Sequence, residues 1–264
     1  VILATKIAGP NSGLEYIRED LRFNEETIRL SVEKSLQRLQ TDYIDLYQFH
    51  WPERNVNFFG QRGFKVKEEA WKDNVQQVLE TIQTLIKEGK IKHFGLSNET
   101  PWGLMRFVEE SRKHNLPKIV TTQNPYSLLN RTFEVGLAEV CHRENVGLLA
   151  YSPLAFGVLS GKFLTGEPQP NARITLFSNF SRYNSENTRK ASALYNEIAK
   201  DNGLTLTEMA LAFIRQQQFV ASTIIGATTL EQLEENINTT KVILSDEILL
   251  EIEKVQSLIP DPAP

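Results

Sequence analysis

The segment DLYQFHWP at residues 45–52 carries the strongest structural signal in the chain. Its aromatic and branched residues favour a buried extended strand, and the Trp51-Pro52 pair ends that strand abruptly. The strand is predicted over residues 43–50, which places His50 at its carboxyl end. In sheets whose strands alternate with helices, ligands bind at the carboxyl ends of the strands. His50 is therefore a candidate functional residue, and a hydrogen-bonded core histidine is the alternative.

Strand-like and helix-like patterns alternate on both sides of this segment. Short apolar runs indicate buried strands, and apolar residues spaced three or four apart indicate helices. Six strands are predicted, at residues 1–6, 43–50, 91–97, 119–124, 146–151 and 221–226. Helices are predicted from a cap at Asn24 through residue 39, and at 75–86, 101–114, 133–144, 185–202, 207–218, 229–239 and 245–258.

This alternation predicts an α/β fold in which residues 1–264 form a single domain. We favour a (β/α)8 TIM barrel that lacks roughly its first two βα units, because a closed barrel needs eight units and six are found. Val1 already stands inside a strand-like run, which also suggests an N-terminally incomplete barrel. An open doubly wound sheet is the alternative, but no G-x-G-x-x-G turn occurs in the sequence.

The composition narrows the classes of partner. The 264 residues carry a formal net charge of -4 with no basic stripe, so a nucleic-acid partner is not expected. No apolar run approaches the ~20 residues of a membrane helix. The single cysteine, Cys141, is expected to be a packing residue in a cytoplasmic protein. The four histidines lack ligand spacing, so no metal is expected. The oligomeric state is left open.

Polar residues close several of the predicted strands. Lys6 ends the first strand and would bring an ammonium group to the same edge of the sheet as His50, although a surface lysine is the alternative. Three later strands end in pairs of hydrogen-bonding residues, which are Ser97-Asn98, Gln123-Asn124 and Tyr151-Ser152. Small hydrogen-bonding residues favour turns, yet the repetition of these pairs suggests one shared polar ligand, such as an amide-bearing ring.

Two glycine-containing segments are suited to phosphate groups. The segment 156–163 differs from a Walker loop in spacing, but the amides freed by Gly157 and Gly161, together with Lys162, could hold a pyrophosphate. Gly226 ends the last strand directly before a helix, where free N–H groups bind phosphate in barrels. An aromatic loop with Phe58, Phe59, Phe64 and Trp71, and Trp102 beyond it, either lines a substrate pocket or packs upon itself.

Taken together, these segments resemble the aldo-keto reductases over essentially the whole chain. The matching segments are ATK at 4–6, DLYQFHWP at 45–52, GLSN at 95–98, QNPY at 123–126, AYSPL at 150–154 and IIGATTLEQLEEN at 224–236. Within that family the chain looks closest to a branch of bacterial Tas-like proteins and relatives of potassium-channel β subunits. The segments QNPYSLLNR at 123–131 and EVGLAE at 134–139 are the most telling for this branch.

The resemblance implies NADPH-dependent reduction of aldehydes or ketones to alcohols by hydride transfer. The family uses a tetrad of Asp, Tyr, Lys and His, and Lys6 and His50 match its last two members. The Asp and Tyr have no counterpart in this chain, so weak or absent catalysis is expected of the chain alone. The alternative is a redox-sensing regulatory subunit without significant turnover. Channel-associated relatives commonly carry Asn where His50 stands, so the imidazole favours an enzyme acting on a small carbonyl substrate.

The resemblance also implies a set of NADPH contacts. Those to the carboxamide match Ser97, Asn98 and Gln123, and the ring contact matches Tyr151. The phosphate contacts match Ser152, Pro153, Leu154 and Lys162, with Gly226 at the second phosphate segment. The contacts around the adenosine and its 2′-phosphate match Arg173, Thr228, Gln232, Glu235 and Asn236. Two cations, Lys162 and Arg173, favour NADPH over NADH.

Overall fold

The computed structural model describes residues 1–10, 14, 16–17, 20–57, 59–177 and 181–264. The chain divides into two compact units. The first unit comprises Val1–Phe58, Gly63–Asn124 and Gly136–Leu148. The second comprises Phe59–Arg62, Pro125–Val135 and Leu149–Pro264. Each is described by itself below.

Within the described residues, six strands form one sheet and are hydrogen-bonded in chain order. They are β1 Ala4–Ile7, β2 Ile44–Phe49, β3 Ile91–Ser97, β4 Ile119–Pro125, β5 Gly147–Tyr151 and β6 Val220–Thr223. The pairs from β1 to β4 are parallel. The α/β class is therefore confirmed, with a six-stranded sheet. The closed (β/α)8 barrel and the two further βα units before Val1 stay predictions.

Helices alternate with the strands as the apolar spacing predicts. They are α1 Glu25–Leu39, α2 Val75–Lys87, α3 Pro101–His114, α4 Leu137–Glu144, α5 Arg173–Leu176, α6 Glu186–Asp201, α7 Leu206–Arg215, α8 Leu230–Asn238 and α9 Asp246–Leu258. Short 3-10 turns cover Thr132–Val135, Ala155–Ser160, Lys162–Leu164, Ser181–Tyr183 and Thr239–Lys241. None of the helices in the described ranges is both long and apolar enough to cross a membrane.

Polar side chains fix where the helices begin. Asn24 caps α1 by accepting the N–H of Thr27, as the sequence predicts, and Thr100 caps α3 with Pro101 in its first turn. Ser185, Thr205, Thr229 and Ser245 cap α6 to α9 in the same way. Each cap satisfies one N–H that would otherwise lack a partner within its helix.

The predicted helix over residues 133–144 is wrong in its first part. A 3-10 turn over Thr132–Val135 comes first, and α4 begins only at Leu137. Gly136 between them has φ -174 and ψ -36, outside the helical region, so the two segments are not one helix. The apolar spacing continues through the break, which is why the sequence pattern did not reveal it.

The core of the first unit is built from the inner faces of its helices and from its strands. Leu79, Ile82 and Leu85 of α2 are fully buried, and Cys141 of α4 is 1% exposed. The packing at the end of β1 leaves no room for a side chain at Gly9, since a Cβ there would overlap the indole of Trp51. Trp51 Nε1 donates to the carbonyl of Pro10 at 2.9 Å, which fixes the ring next to His50.

The second unit combines an aromatic core with an ionic network around a buried arginine. Tyr126 stacks on Phe213 with a centroid distance of 6.0 Å, and Phe219 meets Tyr126 edge to face at 5.3 Å. Arg131 lies beside this core and binds four groups, which we call the Arg131 network. The Arg131 guanidinium contacts the Glu134 and Glu253 carboxylates, each at 2.7 Å, and lies 5.1 Å from the centre of the Phe213 ring. The backbone N–H of Arg131 donates to Asp261 Oδ1 at 2.6 Å.

Candidate active site

The parallel register aligns the carboxyl ends of four strands in the first unit. Lys6 pairs with Gln48 across β1 and β2, and Phe49 pairs with Leu96 across β2 and β3. Ser97 pairs with Gln123 across β3 and β4. Lys6, His50, Ser97 and Gln123 therefore stand at or within two residues of the ends of neighbouring strands. The structure brings together these sequence-predicted residues at one edge of the sheet.

His50 directly follows β2 and is half-buried beside Trp51, whose ring centroid lies 4.2 Å away. Burial lowers the pKa of His50 to about 4, and the positive charge of Lys6 adds to this effect. A neutral imidazole is consequently the form present near pH 7. It can donate one hydrogen bond without carrying a charge into the site.

Lys6 is the second candidate from the sequence, and it is half-buried rather than solvated. Burial lowers its pKa from the ordinary lysine value. Its charge acts on His50, so the two side chains share one electrostatic environment. A surface lysine, the alternative drawn from the sequence, does not fit these observations.

Ser97 and Asn98 form a hydrogen-bonded corner with β4. Ser97 Oγ donates to the carbonyl of Gln123 at 2.8 Å, and the backbone N–H of Asn98 donates to the same carbonyl at 2.9 Å. Asn98 has φ 53, a left-handed conformation that asparagine tolerates. Its Nδ2 donates to the carbonyl of His50 at 2.8 Å. The amide thus ties the end of β3 to the residue that follows β2.

An ion pair that the sequence did not reveal lies directly behind this corner. The two terminal nitrogens of the Arg54 guanidinium, Nη1 and Nη2, donate to the two carboxylate oxygens of Glu99. The two side chains are 10% and 3% exposed. Gly103 makes room for the pair, because a Cβ at that position would overlap both side chains. The guanidinium also lies 4.9 Å from the ring of Trp102. The only hint in the sequence was a charged residue directly after Ser97-Asn98.

A second group of predicted residues lies in the second unit, after β5. Burial raises the pKa of Tyr151 to about 12, and Arg182 shares a side-chain hydrogen bond with this tyrosine. Ser152 has φ 55 and hydrogen-bonds through its side chain with Tyr183. Pro153 is buried, and the carbonyl of Leu154 accepts the N–H of Gly157 at 2.8 Å. The structure thus places these four predicted residues in one compact turn.

Cations surround an aromatic pair next to this turn. The rings of Phe156 and Tyr183 meet at 4.8 Å. The guanidinium of Arg173 lies 4.2 Å from the Phe156 ring, and that of Arg182 lies 4.9 Å from the Tyr183 ring. The sequence predicted Arg173 but missed Arg182, because nothing in its pattern places Ser181–Tyr183 against β5.

Lys162 is held over the backbone of Gly157. A Cβ at Gly157 would stand 3.0 Å from Lys162 Nζ, and this glycine has φ 93. A glycine is therefore needed both for the left-handed turn and for the approach of the ammonium. Backbone amides and a cation at one turn form a site of the kind that binds anions.

The junction between β6 and α8 holds the remaining predicted residues. Gly226 is exposed, and Thr228 donates from its N–H and its hydroxyl to Gln232 Oε1 at 3.0 and 3.1 Å. Glu235 accepts from the hydroxyl of Thr205 at 3.1 Å, and Asn236 is buried at 5% exposure. Thr228 and Gln232 are thus brought together, whereas Glu235 and Asn236 are one turn further along α8.

One cavity that the described residues of the aromatic loop line in the first unit is small. Trp71 meets Trp102 edge to face at 6.3 Å, and Trp71 lines a cavity of about 30 Å³. That volume is close to one or two water molecules, far below a ligand pocket of ~300 Å³. Phe64 is exposed, and Phe58 lies outside the described residues.

Metal ligation has no geometric support in the part of the chain that the structure describes. No group of three or more His, Cys, Asp or Glu side chains there is arranged to hold a metal ion.

Comparison with known proteins defines the class. A parallel α/β fold with polar strand ends is shared by many enzymes, but the model of the aldo/keto reductase family matches residues 1–257, and the chain belongs to this family. It is 49% identical to "Protein tas" of Escherichia coli K12 over 265 residues, which cover all of this chain and 77% of the relative. This similarity confirms the resemblance to Tas-like proteins.

Two further relatives are similar over most of the chain. "Aldo-keto reductase" of Babesia bovis is 38% identical over 267 residues, which cover 96% of this chain and 94% of the relative. "L-glyceraldehyde 3-phosphate reductase" of Escherichia coli K12 is 29% identical over 213 residues, which cover 78% of this chain and 56% of the relative. Family membership supports oxidoreduction of small carbonyl compounds.

Proposed function

We propose that the protein is an NADPH-dependent oxidoreductase that reduces aldehydes or ketones to alcohols. The observation that carries this proposal is the neutral His50 beside the half-buried Lys6, at aligned strand ends in the first unit. A carbonyl reductase needs a hydrogen-bond donor and a positive charge where negative charge develops on the carbonyl oxygen. These two side chains supply them.

The protonation states of the two residues suit their proposed roles. His50, with a pKa of about 4, would donate a neutral hydrogen bond to the carbonyl oxygen and orient it. The ammonium of Lys6 would stabilise the developing alkoxide. It would also lower the pKa of a phenol acid such as the tyrosine of the family tetrad. No tyrosine of this chain matches that position, so weak turnover of the chain alone stays a prediction.

The donors and acceptors at the strand ends of the first unit suit a nicotinamide. When bound, the nicotinamide supplies the hydride. Ser97, Asn98 and Gln123 would hold its carboxamide, because amides and hydroxyls offer both donors and acceptors. The corner that Ser97 and Asn98 form with the carbonyl of Gln123 keeps these groups in place before any ligand binds.

The cations of the second unit support a phosphorylated cofactor. Lys162 over the Gly157 turn and the nearby residues 152–154 would bind the pyrophosphate, and Tyr151 would stack on the ring. Arg173 would bind the 2′-phosphate, which favours NADPH over NADH. Gly226, Thr228, Gln232, Glu235 and Asn236 would contact the phosphate and adenosine, as the start of α8 offers N–H groups.

Spectrophotometry with purified protein tests the proposal. Mixing the full-length gene product with NADPH and a nitrobenzaldehyde should cause loss of nicotinamide absorbance, with alcohol as the product. NADH should serve less well. No turnover over a broad panel of carbonyl compounds would contradict the proposal. Tight NADPH binding without turnover in the full-length gene product would instead favour the redox-sensing regulatory subunit. A cytoplasmic location stays a prediction.

A further inference from the structure

Two loops that leave neighbouring strands of the first unit are joined at two points. One loop follows β2 and carries His50 and Arg54. The other follows β3 and carries Asn98 and Glu99. The first junction is the hydrogen bond from Asn98 Nδ2 to the carbonyl of His50 at 2.8 Å. The second is the ion pair between Arg54 and Glu99.

The ion pair is rigid because nearly every polar atom in it is bound. Arg54 Nη1 donates to Glu99 Oε2 at 3.2 Å, and Nη2 donates to Glu99 Oε1 and to Thr100 Oγ1. Glu99 Oε1 also accepts the N–H of Thr100 at 2.6 Å. The carbonyl of Glu99 accepts Asn124 Nδ2 at 2.9 Å. A two-pronged, buried pair of this kind fixes direction as well as distance.

On each of the two loops, the segment that connects the two junctions is short and stiff. Glu99 directly follows Asn98, so a shift of its carboxylate is passed on to the amide that holds His50. On the other loop, His50 and Arg54 are separated by only three residues, of which Trp51 is buried and bonded to Pro10 and Pro52 has a fixed φ. The two junctions therefore act on His50 from both sides.

We propose that Arg54 and Glu99 are positioning residues for His50, which hold its imidazole at the strand end through the hydrogen bond from Asn98. The role of His50 in carbonyl reduction rests on the function proposed above. The coupling between the ion pair and the imidazole does not depend on it. If the pair is lost, the loop carrying His50 moves toward water.

Nuclear magnetic resonance titration of the histidine Cε1–H signals tests this coupling without substrate or cofactor. The signal of His50 is assigned with a His50→Gln variant. In the native protein it should stay neutral from pH 8 down to about 5, because burial and the charge of Lys6 disfavour its protonation. In Glu99→Gln its pKa should rise by about one unit toward the ordinary value.

The sign of the change separates movement from direct electrostatics. Removal of a negative charge at Glu99 would by itself lower the pKa of His50, since a cation would lose an attractive neighbour. A rise therefore reports hydration of the imidazole. A double variant, Arg54→Met with Glu99→Leu, leaves no unpaired buried charge and should stay folded even if the single variant does not. It should show the same rise.

Arg106→Met is the matched control. Arg106 forms ion pairs in the same unit with the buried Glu110 of its own helix and with Asp73, which lies at the far end of the loop that follows β2, next to α2. Its loss should leave the His50 titration unchanged. An unchanged His50 pKa in both Glu99→Gln and the double variant would overturn the proposal, as would an equal rise in Arg106→Met.

Kinetics of the full-length gene product with NADPH and a nitrobenzaldehyde then distinguish the two proposals. The Arg54 and Glu99 variants should lower kcat about tenfold while the KM for NADPH changes by less than about threefold, because the contacts proposed for the phosphates and the adenosine lie in other parts of the chain. Arg54→Lys, which keeps the charge but not the fork, should recover only part of the rate. A native protein without turnover contradicts the proposed function, and the titration still decides the coupling. A rise in KM with constant kcat would overturn the positioning role.

Discussion

His50 is the side chain on which the proposed chemistry depends most. Its imidazole is neutral because burial and Lys6 disfavour the cation, and its carbonyl is held by Asn98. In the full-length gene product, His50→Ala should lower kcat about 100-fold, the usual cost of removing one donor to a developing oxyanion. The Kd for NADPH should change little. Steady-state kinetics and fluorescence titration measure the two quantities.

His93→Ala is the control for this substitution. His93 lies in β3 and is exposed, away from the strand end. It should leave both kcat and the Kd unchanged. If the two variants lose equal activity, His50 has no special role.

The low pKa of His50 also implies that the free energy of unfolding depends on pH. The folded-state value is about 4 and the ordinary value is 6.5, so between these pH values the unfolded chain binds more protons. The contribution of His50 to the free energy of unfolding is therefore lost as the pH falls from 6.5 toward 4, and it is constant above 6.5. His50→Gln should be less sensitive to pH in this window. Urea unfolding at several pH values measures the difference, and equal slopes for the two proteins would contradict the assignment.

Individual site residues were predictable where a polar residue follows an apolar run. Lys6, His50, Ser97 and Asn98 all have this pattern, and the register places them at one edge. The partners of these residues were not predictable. Arg54 and Glu99 are 45 residues apart in the chain, and no local pattern links them. The bond from Asn98 to His50 depends on a left-handed backbone at Asn98, which the sequence permits but does not require.

The end of β1 packs tightly against the segment after β2 and leaves no room for an additional side chain. A side chain at Gly9 would overlap the indole of Trp51, and the ring is bonded to the carbonyl of Pro10. Gly9→Ala should therefore lower the free energy of unfolding by about 1–3 kcal/mol, the usual cost of overpacking. It should also disturb His50, which follows β2 beside that ring.

Gly136→Ala is the matched control for Gly9→Ala. Gly136 also precedes a packed element, but a Cβ there would meet only the ring of Pro101 at an ordinary 3.6 Å. Its φ of -174 is open to any residue. Chemical denaturation should show a change below about 1 kcal/mol. A loss as large as that of Gly9→Ala would mean that added volume at Gly9 is not the cause.

The elements themselves were predictable to within a few residues because caps and apolar spacing agree. The strand over Ile91–Ser97 and the helix over Pro101–His114 have the predicted limits, and Asn24, Ser185, Thr229 and Ser245 cap helices. The start of α4 was missed because Gly136 breaks the helix without breaking the apolar pattern. The turn over residues 155–160 was not predictable either, since its positive φ values include the non-glycine residues Ala155 and Phe156.

Across the second unit, the Arg131 network joins parts that are far apart in the chain. Arg131 is 10% exposed and binds Glu134, Glu253 of α9 and Asp261 near the end of the chain. Arg131→Met should lower the free energy of unfolding by about 1–3 kcal/mol, because it removes charge-assisted hydrogen bonds that join Glu134 to α9. Denaturant titration measures this loss.

Lys190→Met provides the contrast within the same unit. Lys190 pairs with Glu186, and both side chains are largely exposed. Such pairs contribute at most about 0.5 kcal/mol in a helix. Equal losses in the two variants would show that burial of the Arg131 guanidinium adds nothing to the free energy of unfolding.

At the scale of the whole chain, the α/β class followed from the alternation of patterns, and the family followed from the order of the motifs. The division into two compact units did not, because the segment Pro125–Val135 joins the second unit while the chain before and after it joins the first. Contacts between segments distant in sequence decide that division, and a pattern within one sequence does not encode them directly.

The buried position of Cys141 has a practical consequence. Its thiol is 1% exposed in α4, and burial raises its pKa to about 12, so neither access nor ionisation favours attack on an alkylating reagent. Since it is the chain's single cysteine, iodoacetamide would mark the molecule only when α4 opens. The rate of alkylation, followed by mass spectrometry, therefore reports how often α4 opens, without any engineered cysteine.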